Sequence, residues 1–296
     1  MTFQEGGSFE GGRVGTRRGV GGKGMAIGGG GIGAVLVTLL VLFLANQTGT
    51  DPTQLLNPGG VGGGAAQEDV VGDCTVEQAN TDRQCRLSAT IQSLDAVWAG
   101  TLTGADAGQP AVWSFEGSTS TGCGNATSAV GPFYCPTDQS IYLDLGFFDQ
   151  LTSQLGATGG PLAEEYVVAH EYGHHIQQVT GVMDRADRGG TGAESDSVRV
   201  ELQADCYAGV WAGNAATTVD PDTGVTFLEP ITQDELATAL DAASAVGDDR
   251  IQAGSGGGVN PETWTHGSSE QRQRWFMVGY DAKKAAACDT FGSNDL

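Results

Sequence analysis

At 296 residues and 39% hydrophobic content, the chain is long enough to bury one sizeable core and too apolar to be disordered throughout. Arg13, Arg17, Arg18 and Lys23 outnumber Glu5 and Glu10 by two in residues 1–24, so the net charge of −22 leaves the remainder at −24, which would repel phosphate backbones and argues against nucleic-acid binding. Six cysteines with no C-x-x-C pair favour disulfides over a zinc ribbon.

In chain order, residues 1–24 are polar and glycine-rich, without apolar periodicity, and are expected to form a disordered tail. Residues 25–45 carry no charge over a length that spans a bilayer as a helix. Their strongest apolar part, residues 35–45, has signal-peptide length, but Phe43 stands where cleavage needs a small residue, so an uncleaved anchor is expected. Basic residues precede it and Asp51 is the first charge after it, which predicts a single-pass membrane protein with the N-terminus cytoplasmic and the bulk of the chain extracytoplasmic. Residues 46–72 read as a flexible linker, and the folded domain is expected over residues 73–296.

Within that domain, residues 76–98 predict a helix with Ile91, Leu94, Val97 and Trp98 on one side, and residues 111–115 and 140–145 predict short strands. Gly159-Gly160-Pro161 then precedes a helix over about residues 162–179. This helix holds three of the four histidines: His170, His174 and His175. Residues four apart lie about 40° apart around a helix, so His170 and His174 share a face and can grip one metal ion. Glu171 lies about 100° round, placed to reach a water on that ion. This is the H-E-x-x-H arrangement of zinc peptidases, with Glu171 as general base. His175 diverges from His174 by about 100° and is not expected to be a ligand.

Residues 183–196 are polar and predict a mobile loop, a lid over the cleft. The next helix, residues 195–216, has apolar residues that suit burial, and its Glu201 and Asp205 are again four apart and on one face. Glu201 reads as the third zinc ligand, and Asp205 as the acceptor of a ligating imidazole's free N–H. Cys206 competes as a ligand but points about 100° away from Asp205. A third helix covers residues 232–249. His266 then precedes a helix over residues 268–284 that starts with a capping-box-like pattern. Two roles stand open for His266: hydrogen-bond donor to the oxyanion of a tetrahedral intermediate, or a capping and packing residue. Cysteine spacing suggests the pairs Cys74–Cys85, Cys123–Cys135 and Cys206–Cys288, one of 15 possible pairings.

The stretches His-Glu-Tyr-Gly-His-His-Ile-Gln from His170 and Glu-Leu-Gln-Ala-Asp-Cys from Glu201 resemble the putative neutral zinc metallopeptidases, bacterial proteins usually with one N-terminal membrane segment. The likeness takes in Gly122-Cys123-Gly124, residues 131–136 and 142–148, and the Thr265-to-Arg272 stretch, and covers about residues 73–290. It implies an α+β, mainly helical, zincin-like domain with a small sheet, one Zn²⁺ held by His170, His174 and Glu201, and a peptide or protein substrate. It also implies that the strand over residues 140–145 is the sheet edge along which an extended peptide adds. The expected protein is a membrane-anchored zinc endopeptidase with Glu171 as base. Its rivals are an envelope scaffold with a structural zinc and a zinc hydrolase of a non-peptide amide.

Overall fold

The computed structural model describes residues 3–18, 67–102, 106–256 and 258–296. The apolar run over residues 25–45 and residues 46–66 of the expected linker lie outside the described residues, while residues 67–72 of that linker are ordered, with Gln67–Val70 a strand and Val71 buried. Among the described residues no helix is long and apolar enough to cross a membrane.

Nine α-helices are described: α1 (Val76–Thr81), α2 (Arg83–Thr101), α3 (Phe147–Ser153), α4 (Pro161–Val179), α5 (Val182–Arg185), α6 (Asp196–Ala215), α7 (Gln233–Ala245), α8 (Asp248–Gly254) and α9 (Ser269–Ala282). Local chemistry sets their ends. Helix α4 starts at Pro161, whose fixed φ suits the first helical position and whose missing N–H costs nothing there. It stops at Thr180, before Gly181 turns left-handed at φ 73°. Ser195 caps α6 by accepting from the Val198 N–H, while Thr232 with Glu235 and Ser268 with Gln271 form reciprocal capping boxes on α7 and α9.

Small residues decide how the helices cross. A Cβ at Gly209, Gly213 or Gly279 would run into the carbonyl oxygen of Phe276, Tyr280 or Cys206, so α6 and α9 meet backbone to backbone. Helix α4 approaches α6 at Gly173, where a Cβ would stand 3.0 Å from the Ala204 carbonyl oxygen. The glycine between Tyr172 and His174 therefore lets the histidine helix come close enough for Glu201 to reach it.

The strands are β1 (Ser8–Phe9), β2 (Gly15–Arg18), β3 (Gln67–Val70), β4 (Cys74–Thr75), β5 (Ala111–Glu116), β6 (Ser118–Thr121), β7 (Gly124–Thr127), β8 (Phe133–Cys135) and β9 (Ser140–Asp144). The main sheet has the order β3-β2-β5-β9-β8, with β5 parallel to both its neighbours and the other pairs antiparallel. Strands β1 and β4 pair separately, as do β6 and β7. The disulfides are Cys74–Cys85, Cys123–Cys135 and Cys206–Cys288. The last ties α6 to the turn that follows α9, and it removes Cys206 from the possible metal ligands.

Three expectations need correction. The disordered tail over residues 1–24 is replaced, for residues 3–18, by an ordered part of the domain. Phe3, Phe9 and Val14 are 0%, 3% and 0% exposed and belong to the main core. Arg13 grips Asp95 of α2 with two N–H groups at 2.6 and 3.0 Å and donates to the Pro110 carbonyl at 2.9 Å. The Tyr172 hydroxyl of α4 donates to the same Asp95 at 2.8 Å, so this segment is fastened to the histidine helix through one carboxylate. The domain therefore begins near residue 3, not residue 73.

Second, β9 is not an edge strand. It lies between β5 and β8 with all five residues buried, because β5 supplies a parallel partner on its far side. The edge nearer α4 is β8. Third, residues 183–196 are not a free lid. They include α5 with a buried Met183, and the Gly192 N–H donates to the Trp264 carbonyl at 2.8 Å.

Candidate metal centre

One helical turn separates His170 from His174, and their rings meet edge to face with centroids 4.8 Å apart. From α6, Glu201 points back at both: one carboxylate oxygen lies 3.1 Å from His170 Nε2 and the other 3.6 Å from His174 Nε2. A ligand atom from each of the three lies within 4.8 Å of the others, and all three residues are buried.

The surroundings fix which nitrogen faces the centre. His170 Nδ1 lies 2.7 Å from Asp205 Oδ1, and Asp205 also accepts from the Tyr166 hydroxyl at 2.6 Å and from Arg272 Nε and Nη2 at 2.8 and 3.0 Å. His174 Nδ1 lies 2.8 Å from Gln177 Oε1, whose amide donates to the Val200 carbonyl at 2.7 Å and to Gln203. Both Nδ1 atoms thus carry a proton, which leaves both Nε2 atoms facing the Glu201 carboxylate. Positive charge between them, whether a proton or a metal ion, lets these nitrogens face an anion.

Two further observations fit such a cation. Glu201 Oε1 is buried without any hydrogen-bond partner, a costly condition that coordination would relieve. Burial works to lower the His170 pKa, yet Asp205 and Glu201 outweigh it and raise it to about 10, so these carboxylates favour positive charge here. Burial likewise works to raise the Glu201 pKa, but His174 and His170 hold it well below the usual carboxylate range. Two imidazoles and a carboxylate are the donor set of an open catalytic zinc site.

Glu171 is buried beside this group and is not one of the three converging residues. Burial pushes its carboxyl pKa up, opposed by His174 and His170 and by a hydrogen bond from the Tyr134 backbone of β8. His266 reaches the same neighbourhood from the loop before α9, close enough for its charge to help lower the Glu201 pKa. Its Nδ1 is held 3.2 Å from Asp248 Oδ1, while Asp248 Oδ2 accepts from the backbone N–H groups of Thr265, His266 and Gly267 at 2.8, 2.7 and 3.1 Å. His175 stands apart: its Nε2 meets the Ala107 carbonyl at 2.9 Å and its Nδ1 the Tyr134 hydroxyl at 3.3 Å.

Sequence reasoning passed over four contributors: Gln177, Arg272, Tyr166 and Asp248. Gln177 could have been found, since it lies three residues beyond His174 on the same helix face. Arg272 reads in the sequence as fixing its own segment by a salt bridge, whereas it is buried against Asp205 of α6. Tyr166 and Asp248 gave no signal.

Earlier on α4, Glu165 is fully buried with neither carboxylate oxygen hydrogen-bonded, and burial raises its pKa from 4.5 to about 7. The folded state therefore holds a proton that the unfolded chain releases. The resulting stabilisation is complete below about pH 4.5 and is lost as pH rises to about 7 and beyond. Glu165→Gln should remove this dependence. Between pH 4.5 and 8, the stability of the wild type should fall relative to the variant by about 3 kcal/mol in denaturant titrations. Parallel curves would show that Glu165 finds a counter-charge.

The converging side chains of His170, His174 and Glu201 could hold a metal ion, and the comparison with known proteins gives the family. The chain belongs to the family described as putative neutral zinc metallopeptidase, which it matches over residues 2–291. It is 54% identical over 222 residues to uncharacterized protein Rv2575 of Mycobacterium tuberculosis, covering 75% of each chain. It is 37% identical over 267 residues to uncharacterized protein YpfJ of Escherichia coli K12, covering 88% of this chain and 87% of the other. No solved structure matches it.

Proposed function

We propose that this protein hydrolyses peptide bonds at a single zinc ion held by His170, His174 and Glu201. The observation that carries the reading is the convergence of these three side chains on a buried point where Glu201 Oε1 has no other partner, with Glu171 beside it. When bound, zinc lowers the pKa of a water and polarises the scissile carbonyl. Glu171 takes the proton of that water and delivers it to the leaving amine, and its raised pKa brings it towards the working pH. Asp205 and Gln177 hold the two imidazoles in the tautomer that offers Nε2. Asp248 orients His266 so that its other nitrogen can donate to the developing oxyanion. The edge that an extended substrate joins is β8, whose Tyr134 backbone already touches Glu171.

The same proposal places the domain in an oxidising, extracytoplasmic compartment, which three disulfides favour, with residues 25–45 engaging a membrane. The test is incubation of the purified full chain with an unbiased peptide library, with and without chelator. Chelator-sensitive cleavage, restored by about one equivalent of zinc, is the expected result. No cleavage by zinc-loaded protein would leave a scaffold or a non-peptide amidase. His266→Ala should lower kcat by roughly 100-fold at unchanged zinc content. Full activity in that variant would reduce His266 to a packing residue.

A further inference from the structure

The two histidines of the candidate metal centre are fastened differently. His170 Nδ1 faces the Asp205 carboxylate, an ionised group that can only accept a hydrogen bond, so its orientation is settled in one step. His174 Nδ1 faces the Gln177 side-chain amide at 2.8 Å, and an amide can present either its oxygen or its NH₂ group. What decides the direction is a pair of backbone carbonyls, which only accept. Gln177 Nε2 donates to the Val200 carbonyl at 2.7 Å and to Gln203 Oε1 at 3.1 Å, and Gln203 Nε2 donates to the Cys288 carbonyl at 2.8 Å. With a carbonyl at the far end, Gln203 turns its oxygen to Gln177, Gln177 turns its own oxygen to His174, and Nδ1 is left as the donor. Both glutamines are buried, so a reversed amide would set N–H against N–H with no water to mend it.

The far end is itself pinned. Cys288 follows the short turn after α9 and is bonded to Cys206, which stands three residues beyond Gln203 on α6. Residues three apart on a helix are neighbours, so α6 meets Cys288 twice, through its sulfur and through its carbonyl. Arg199 and Thr290 also hold this segment to α6, but by hydrogen bonds that open and close. Resting on the zinc reading above, we infer that the Cys206–Cys288 disulfide governs zinc affinity, with Gln203 and Gln177 as positioning residues that carry the polarity of the Cys288 carbonyl to His174 Nδ1. Without the covalent tie the chain end frays from α6, Gln203 turns to water, and Gln177 loses the acceptor of its second N–H. The metal site is then complete only in a chain whose last disulfide has formed, which couples metal loading to an oxidising compartment.

The test reads zinc affinity of the full chain by competition with a chromophoric chelator, and the histidine Nδ1–H protons by NMR with and without zinc. Gln203→Leu, and separately Cys206→Ala with Cys288→Ala, should each weaken zinc binding roughly 10-fold. Both act through one relay, so the triple variant should also lose roughly 10-fold and not roughly 100-fold. In Gln203→Leu the His174 Nδ1–H should exchange faster with solvent while that of His170, held by Asp205, stays as in the wild type. Opening a disulfide outside the relay, by Cys74→Ala with Cys85→Ala, should leave zinc affinity within about twofold. Should the Cys206 and Cys288 pair of alanines fail to fold, Cys206→Val with Cys288→Ala refills the lost sulfur volume and takes its place. Unchanged affinity in Gln203→Leu or in the Cys206–Cys288 variant, additive losses in the triple variant, or an equal loss on opening Cys74–Cys85 overturns the inference. A wild type that binds no zinc removes the metal reading, and the His174 Nδ1–H signal of the zinc-free chain, lost or kept in Gln203→Leu, then decides the relay by itself.

Discussion

Glu171→Gln should retain about one zinc per chain and lose peptide hydrolysis by about 1,000-fold or more. The carboxamide fills the same volume and leaves His170, His174 and Glu201 untouched, so the donor set survives. It cannot accept a proton, however, and the neighbouring carboxylates are engaged elsewhere: Glu201 converges with His170 and His174, and Asp205 holds His170 and Arg272. Zinc content by mass spectrometry and cleavage of a fluorogenic peptide are read on one preparation. Loss of zinc in the variant would make Glu171 a ligand. Undiminished cleavage would take the general base elsewhere. On the acid side the wild-type rate should fall as Glu171 becomes protonated, at a pH above the ordinary glutamate range because burial raises its pKa.

The second large effect concerns the first eighteen residues. A fragment beginning at residue 73 loses the burial of Phe3, Phe9 and Val14, worth roughly 6 kcal/mol, together with the pairing of β2 to both its neighbours. That approaches the whole stability of an ordinary domain, about 5–15 kcal/mol, so the fragment should be unfolded or insoluble. By contrast, β2 and β3 are antiparallel neighbours with Arg18 opposite Gln67, so the two strand ends stand side by side. Replacing residues 19–66 by Asn-Gly, a turn that suits adjacent antiparallel strands, should leave the melting temperature within about 5 °C of the wild type. A folded, active fragment beginning at residue 73 would refute the structural role of the N-terminal strands.

What could be read from the sequence follows the range of the interactions. The histidine helix and the Glu201 helix were legible because i to i+4 geometry is local: one face per helix, and two faces that must meet. The capping box at Ser268 was legible for the same reason. Strand β2 was not, since Gly15-Thr16-Arg17-Arg18 has no apolar alternation. Pairing on both sides and the Arg17 guanidinium lying 3.8 Å over the Trp113 ring hold it instead. Strand β9 looked like an edge because its second neighbour, β5, comes from a distant part of the chain. His266 was visible as a lone histidine, but Asp248, which orients it, is an ordinary acidic residue at a helix start until the fold brings the two together.

The register of β2 against both β3 and β5 also fixes where the chain leaves the sheet and where it returns. While Gly15–Arg18 stays zipped to Trp113–Glu116, the polypeptide departs from the sheet at residue 18 and rejoins it one strand away at residue 67. Residues 19–66 therefore connect two neighbouring strands of one sheet.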